Sequence, residues 1–249
     1  MLRGLGKLTW LEIKIFVREP MGLIGSVLIP VMMFLVLGRT FGPRLREATS
    51  LVAVQMQVGL PVFVAVFIAI SAVLSLVAII SIYRESGILK RLRATPINPV
   101  TILVTHVLVK LVLTAVTVLV MVILGRRYYP AGTDIPLFAF TVALLLSTWS
   151  ILSTGFIIAS LVRTARFAPP LGSLVLYMML PFCGLFLPVD SLPPVTQAIS
   201  TVLPLTYAVS LLSGIWQGNP WSAHLDDIAA LVVVFILCTF VASRVFRWE

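Results

Sequence analysis

The sequence predicts an all-α integral membrane protein with about six transmembrane helices, and three observations lead to this fold class. The chain has 249 residues, 60% of them hydrophobic and 11% charged, whereas soluble domains are roughly 45–50% apolar and about 25% charged. The apolar residues form long runs, and two of these runs, 58–82 and 137–162, contain no Asp, Glu, Lys or Arg. A membrane span needs about 20 mostly apolar residues, and several segments of this chain meet that length.

The predicted elements follow one another along the whole chain. Residues 1–19 combine a basic arc with an apolar side, which is typical of a helix that lies along a membrane surface. A charged segment, 83–96, separates the second span from the third. Residues 189–222 are broken by Pro and Gly, which favours short helices that re-enter one leaflet on the outer side. The predicted spans cover residues 21–37, 55–82, 100–124, 136–162, 168–187 and 228–242.

Basic residues indicate the orientation of these spans. If the N-terminus is cytoplasmic, twelve Lys and Arg residues lie on the inner side and five on the outer side, as the positive-inside rule expects. The inner set is Arg3, Lys7, Lys14, Arg18, Arg84, Lys90, Arg91, Arg93, Arg163, Arg166, Arg244 and Arg247; the outer set is Arg39, Arg44, Arg46, Arg126 and Arg127. Both termini are therefore expected in the cytoplasm. The same bias accounts for the net charge of +9, so no nucleic-acid partner is expected.

Motifs for catalysis, nucleotides or metals are not apparent in the sequence. The stretch from Gly4 to Thr9 does not have the GxxxxGK[ST] spacing of a phosphate loop. Cys183 and Cys238 lie in separate apolar runs without metal-ligand spacing. A membrane-embedded enzyme would need paired carboxylates, a Ser–His pair or metal ligands within the spans, but the carboxylates lie outside them and His106 is the single histidine inside. An ion channel would need a repeated filter or a charged ring, and neither is visible.

Lys110 stands near the middle of the third predicted span, where a charge costs at least ~2.5–3.5 kcal/mol. It shares one helical face with His106, Thr114 and Thr117. One interpretation makes this face a polar track for a substrate or for coupling between helices. The other has Lys110 snorkel toward the cytoplasmic interface, with His106 hydrogen-bonded nearby. Because Lys110 lies about ten residues, or ~15 Å, into the span, snorkelling would be strained.

The segment 84–94 is predicted to form a short helix with Leu89 and Leu92 on one face and basic residues around it. Pro96 would end this helix. A short, charged helix between two spans suits a lever that is gripped by a soluble partner. An ordinary positive-inside loop would have the same composition, so the residues alone leave both interpretations open.

Three segments resemble the type-2 ABC exporter permeases. The first is E-S-G-I-L-K-R-L-R-A-T-P at residues 85–96, which resembles the cytoplasmic loop of that family. The second comprises F-C-G-L-F-L-P at 182–188, L-P at 192–193 and L-P-L-T-Y at 203–207, and the third is R-E-P at 18–20. The segments occur in the family's order and cover most of the chain, although Cys183 stands where the family often has Ser or another small residue.

The resemblance implies a fold similar to that of the eukaryotic G-subfamily ABC exporters, with residues 1–249 as one permease domain. It implies a connecting helix at 1–19, a coupling helix between spans two and three, and outer re-entrant helices. Two permeases, identical or paralogous, would pair, each docked on a separate ABC ATP-binding subunit that carries the ATP and magnesium. This chain would bind no cofactor or metal and would have no catalytic residue; its other partner would be membrane lipid.

The resemblance also implies roles for particular residues. The predicted ATPase-coupling residues are Arg84, Glu85, Gly87, Lys90, Arg91 and Arg93. The predicted substrate path includes Phe63, Phe67, His106, Lys110, Phe182 and Phe186. The expected function is outward movement of a drug, antibiotic or lipid across a prokaryotic plasma (inner) membrane by alternating access. The alternative within the same fold is export of a lipid-linked glycan.

Overall fold

The computed structural model describes residues 2–18, 24–36, 39, 51–87, 99–128, 137–162, 164, 166–185 and 189–245. Within these ranges the regular structure is helical and contains no β-strand, which confirms the predicted all-α class. The α-helices are α1 Leu2–Arg18, α2 at 29–36 after the π-helical turn Ile24–Leu28, α3 Leu51–Glu85, α4 Pro99–Tyr128, α5 Leu137–Leu161, α6 Ala168–Met179, α7 Pro194–Ser200, α8 Pro204–Trp216 and α9 Leu225–Val245.

Proline marks where several of these helices begin. Pro99, Pro194 and Pro204 are the first residues of α4, α7 and α8. The first turn of a helix tolerates proline because its backbone N–H would have no partner inside the helix, and the ring already fixes a helical φ. Prolines that interrupt the apolar pattern of the sequence therefore mark the starts of these helices.

Four helices in the described part of the chain are long and apolar enough to cross a membrane. Their apolar windows are Ala65–Tyr83, Val104–Met121, Phe138–Ser160 and Trp221–Ala242. Helices α7 and α8 are also apolar but meet at a bend of 87°, which a straight span would not have. These findings show a multi-pass membrane protein. The re-entrant arrangement of residues 189–222 is compatible with this bend and stays a prediction.

Several described helices differ in length from the predicted spans. α4, at Pro99–Tyr128, and α9, at Leu225–Val245, extend beyond the predicted 100–124 and 228–242. α3 runs from Leu51 to Glu85 and so extends beyond the predicted 55–82, because no proline or glycine interrupts it between Ile82 and Glu85. α6, with the 3₁₀ turn Leu180–Phe182, is shorter than a full span.

Helix α5 lies at the centre of the bundle and packs against α3, α4, α6, α8 and α9. Its contact with α3 is close because Gly155 has no side chain. A Cβ added at Gly155 would lie 2.8 Å from Cγ1 of Val73, which is buried in the core. Glycine at this crossing allows the two helices to approach more closely than any other residue would.

The last helix, α9, is joined to α5 by both polar and aromatic contacts. Ser150 Oγ donates a hydrogen bond of 2.7 Å to the carbonyl of Leu231. Trp149 stacks on Phe235 with ring centroids 3.9 Å apart. Even so, only 11% of the apolar window of α9 is buried within the chain, against 50–61% for the other three windows. Most of the circumference of α9 is therefore not covered by the described part of this chain.

Candidate functional site

The end of α3 carries the first of the predicted coupling residues. The backbone N–H of Ser86 donates to the carbonyl of Ile82 at 2.9 Å, and Ser86 Oγ donates to the same carbonyl at 2.7 Å. Gly87 then has a φ of +70°, which is the left-handed conformation that ends many helices and that glycine adopts without strain. The helix thus terminates at a defined point, where the carbonyl of Ile82 accepts two bonds from Ser86.

The structure places the coupling residues in two groups. Arg84 and Glu85 form the last turn of α3, and the Glu85 side chain is exposed. The short helix predicted over 84–94 therefore does not begin as a separate element, because its first two residues continue the long helix. Lys90, Arg91 and Arg93 lie outside the described residues.

A polar face of α4 is buried inside the protein. His106, Lys110, Thr114 and Thr117 are each at most 5% exposed. Thr117 Oγ1 donates to the carbonyl of Leu113 at 2.8 Å, a bond within the same helix. The sequence correctly predicted that these four residues share a face, and the structure shows that this face is covered by other parts of the chain.

Lys110 meets helix α1. Its Nζ lies 4.4 Å from the centre of the Phe16 ring. A cation over an aromatic face gains about 2 kcal/mol where both are desolvated, which offsets much of the ~2.5–3.5 kcal/mol that a lysine costs in the middle of a span. The side chain is oriented toward α1 and is almost fully buried by protein.

His106 meets helix α3, one turn from Lys110. Its ring packs edge-on against Tyr83, with centroids 5.4 Å apart at an angle of 67°. Among the described residues its Nε2 has no hydrogen-bond partner, so hydrogen bonding at that atom does not account for its burial. On α1, burial raises the pKa of the Glu12 carboxyl, and Glu12 is close enough to Tyr83 to act on its hydroxyl electrostatically.

These contacts define the α1–α3–α4 junction, made by Glu12, Phe16, Tyr83, His106 and Lys110. It connects the N-terminal helix to the end of α3 that leads into the predicted coupling segment. Within the described ranges, no group of three or more His, Cys, Asp or Glu side chains could hold a metal ion. The junction brings together side chains of three helices.

The phenylalanines of the predicted substrate path lie elsewhere. Phe67 is half-buried on α3, sixteen residues before Tyr83, which is about 24 Å along the helix axis. Phe182 is half-buried in the turn after α6, where its carbonyl accepts a 2.6 Å bond from Ser200. The side chain of Phe63 and the whole of Phe186 lie outside the described residues. The structure does not bring Phe67 together with His106 or Lys110.

A second polar cluster joins α8 to α9, and sequence reasoning missed it. Asp227 Oδ2 accepts a hydrogen bond from Ser210 Oγ at 2.8 Å and lies 2.8 Å from His224 Nδ1. The His224 ring lies directly over Gly214, where an added Cβ would be 1.8 Å from Nε2. The spacing of His224 and Asp227 was visible in the sequence, but Gly214 and Ser210 come next to them only through the fold.

A bundle of apolar helices with an amphipathic N-terminal helix and a bent helix pair is the fold of a multi-pass membrane protein. A family model identifies the class. The model of the ABC-2 type transporter family matches residues 4–216, and the chain belongs to that family. The matched region contains the whole α1–α3–α4 junction.

Curated relatives point in the same direction. The chain is 34% identical over 139 residues to the inner membrane transport permease YhhJ of Escherichia coli (strain K12). It is equally similar to the protein of the same name from Shigella flexneri. In both cases the match covers 53% of this chain and 36% of the relative, so it spans about a third of the length of each relative.

Proposed function

We propose that the chain is the membrane-spanning subunit of an ATP-driven ABC exporter. It moves a hydrophobic or amphipathic substrate outward by alternating access and works as a pair of permeases. Membership of the ABC-2 type transporter family supports the permease role. ATP and magnesium are bound by a separate ATP-binding subunit. The name of the curated relatives supports location in an inner membrane.

The continuity of α3 is the observation that carries this proposal. Arg84 and Glu85, the first residues of the coupling segment, belong to the same unbroken helix as the apolar window Ala65–Tyr83. A helix moves as a rigid rod over this length unless a proline, glycine pair or π-bulge interrupts it. A force applied by the ATPase at Arg84 and Glu85 is therefore delivered directly to a membrane span.

The α1–α3–α4 junction distributes that movement. Tyr83 stands one residue before Arg84 and contacts His106 of α4, while Lys110 of α4 contacts Phe16 of α1. Of the roles considered for His106 and Lys110, coupling between helices fits these contacts better than lining an open path. Phe67 and Phe182, with Phe63 and Phe186, remain the proposed apolar wall of the substrate path.

Gly87 offers the sharpest test, because the chain contains a matched control. Gly87 and Gly218 both have left-handed φ values, +70° and +84°, and a Cβ at either would meet nothing within 4 Å. Replacement by Ala at either position therefore adds only backbone strain, about 1–2 kcal/mol. Gly87 lies in the coupling segment, whereas Gly218 lies between α8 and α9.

The experiment co-purifies the permease with its ATP-binding subunit and measures ATP hydrolysis and substrate efflux in lipid nanodiscs and proteoliposomes. We expect Gly87→Ala to lower efflux per ATP hydrolysed, and Gly218→Ala to lose similar stability with coupling intact. Glu85→Ala and Arg91→Glu are expected to weaken assembly with the ATPase. Equal coupling in the two glycine variants would refute the lever role of α3. Failure to bind any ATP-binding subunit would refute the exporter proposal itself.

A further inference from the structure

The face of α1 that points away from the bundle has an unusual composition. Lys7, Lys14 and Arg18 are all exposed and lie within one narrow arc of the helix; we call them the basic stripe. Large apolar side chains border the stripe on both sides. Trp10, on one border, is 69% exposed, and Leu11 and Ile15, on the other, are 53% and 51% exposed. An ordinary solvent-facing helix would have polar residues at these borders.

The contacts of α1 fix its level relative to the spans. Phe16 meets Lys110, six residues inside the apolar window Val104–Met121, or about 9 Å from its end. Glu12 is close enough to Tyr83, the last residue of the window Ala65–Tyr83, to act on its hydroxyl electrostatically. Helix α1 therefore packs on α4 and lies near the ends of two apolar windows, the level at which a span passes from hydrocarbon to lipid headgroups.

We propose that the face of α1 that points away from the bundle is a binding surface for anionic phospholipid headgroups. The basic stripe pairs with the headgroup phosphates, while Trp10, Leu11 and Ile15 enter the acyl boundary on either side of it. A membrane interface accommodates cations and large apolar side chains at nearly the same depth, because the cations reach headgroups and the apolar groups reach acyl chains. The positive charge of the stripe selects anionic over zwitterionic lipid.

A soluble acidic protein is the other occupant that the charge would suit. The exposed apolar borders argue against it, since they extend along both sides of the stripe and would need continuous apolar contact with the partner. Lipid supplies that contact without a second complementary surface. The inference depends on the position and composition of α1, and it does not depend on the proposed function.

The first measurement is the association of spin-labelled phosphatidylglycerol and phosphatidylcholine with the purified permease in bilayers. We expect the protein to prefer phosphatidylglycerol. The variant Lys7→Gln/Lys14→Gln/Arg18→Gln should lose this preference by roughly fivefold or more, the factor that about one surface cation contributes. The matched control, Lys7→Arg/Lys14→Arg, retains the charge and should retain the preference. High salt should weaken the preference of the native protein, because it screens exposed charges.

A second measurement uses the native stripe and does not depend on the folding of a triple variant. Brominated lipids quench nearby tryptophan, and the difference between native protein and Trp10→Phe isolates the signal of Trp10. We expect stronger quenching of Trp10 by brominated phosphatidylglycerol than by brominated phosphatidylcholine. Equal quenching by the two lipids, or an unchanged lipid preference in the triple variant, would overturn the inference. If the triple variant no longer co-purifies with the ATPase but keeps its lipid preference, this face of α1 binds a protein partner instead.

Discussion

Replacing Gly214 by Ala should dislodge His224 and weaken the joint between α8 and α9. A Cβ at Gly214 would lie 1.8 Å from Nε2 and 2.3 Å from Cε1 of the imidazole, distances that no real structure tolerates. The ring has to leave its place over α8. In doing so it loses its 2.8 Å contact with Asp227, while Ser210 keeps its own bond to the same carboxylate oxygen.

The size of the effect follows from these contacts. A hydrogen bond to a charged group contributes about 1.5–3 kcal/mol, and the His224 and Asp227 side chains are only 13% and 15% exposed. Alanine returns about 1 kcal/mol because it is a better helix former than glycine. The expected net loss is therefore about 0.5–2 kcal/mol. The ring can rotate toward solvent, so no larger packing penalty is added.

A double-mutant cycle tests this reasoning, because the effect of Gly214→Ala on the free energy of unfolding should change sign when His224 is replaced. In a His224→Ala background the obstacle is gone, and Gly214→Ala should stabilise the protein by up to about 1 kcal/mol. Free energies of unfolding can be obtained from titration of the detergent-solubilised protein with a denaturing detergent. If Gly214→Ala costs the same in both backgrounds, the imidazole does not occupy the space over Gly214 and the reasoning fails.

Two further predictions concern α5 and α1. Gly155→Ala should destabilise the protein by about 1–3 kcal/mol, the usual cost of overpacking, because its Cβ would meet Val73 at 2.8 Å. Gly6→Ala is the control: a Cβ at Gly6 meets nothing within 4 Å, so this variant should be neutral or stabilising. Equal melting temperatures for the two variants would contradict the close crossing of α3 and α5. Burial raises the pKa of the Glu12 carboxyl, so the stability linked to its neutral form is present below its ordinary pKa and is lost as pH rises through the raised value. Glu12→Gln should flatten this dependence in thermal unfolding as the pH is raised from below the ordinary carboxyl pKa. An unchanged pH profile would show that the docking of α1 does not depend on this carboxyl.

The sequence predicted the apolar windows well because crossing a membrane places a strong constraint on composition. The window Phe138–Ser160 lies within a span predicted from the absence of charge alone, and the window Ala65–Tyr83 exceeds another such span by one residue. It also predicted that Lys110 is exceptional. It could not identify the partner of Lys110, since nothing in the local pattern connects residue 110 to Phe16 on a different helix.

Helix ends and tertiary contacts were harder to predict for physical reasons. The position at which α3 stops depends on a left-handed glycine at Gly87, whereas the sequence pattern drew attention to Pro96. The cluster of His224 and Asp227 over α8 requires the turn Trp221–His224 to fold back on Gly214. Such contacts arise from the three-dimensional path of the chain, and neither hydropathy nor motif spacing contains them.

The sparse burial of α9 has a consequence for how this protein responds to its membrane. The helix is held near its N-terminal end by the Asp227 cluster, then by the bond from Ser150 to Leu231, and in its middle by the stacking of Trp149 on Phe235. Most of its circumference is not covered by the described part of this chain, so the bilayer also acts on its inclination. In a thinner bilayer an apolar helix of this length accommodates by leaning over, at a modest cost for each ångström of mismatch. The part of α9 beyond Phe235 would then move most, which makes acyl-chain length a variable to control when transport is measured.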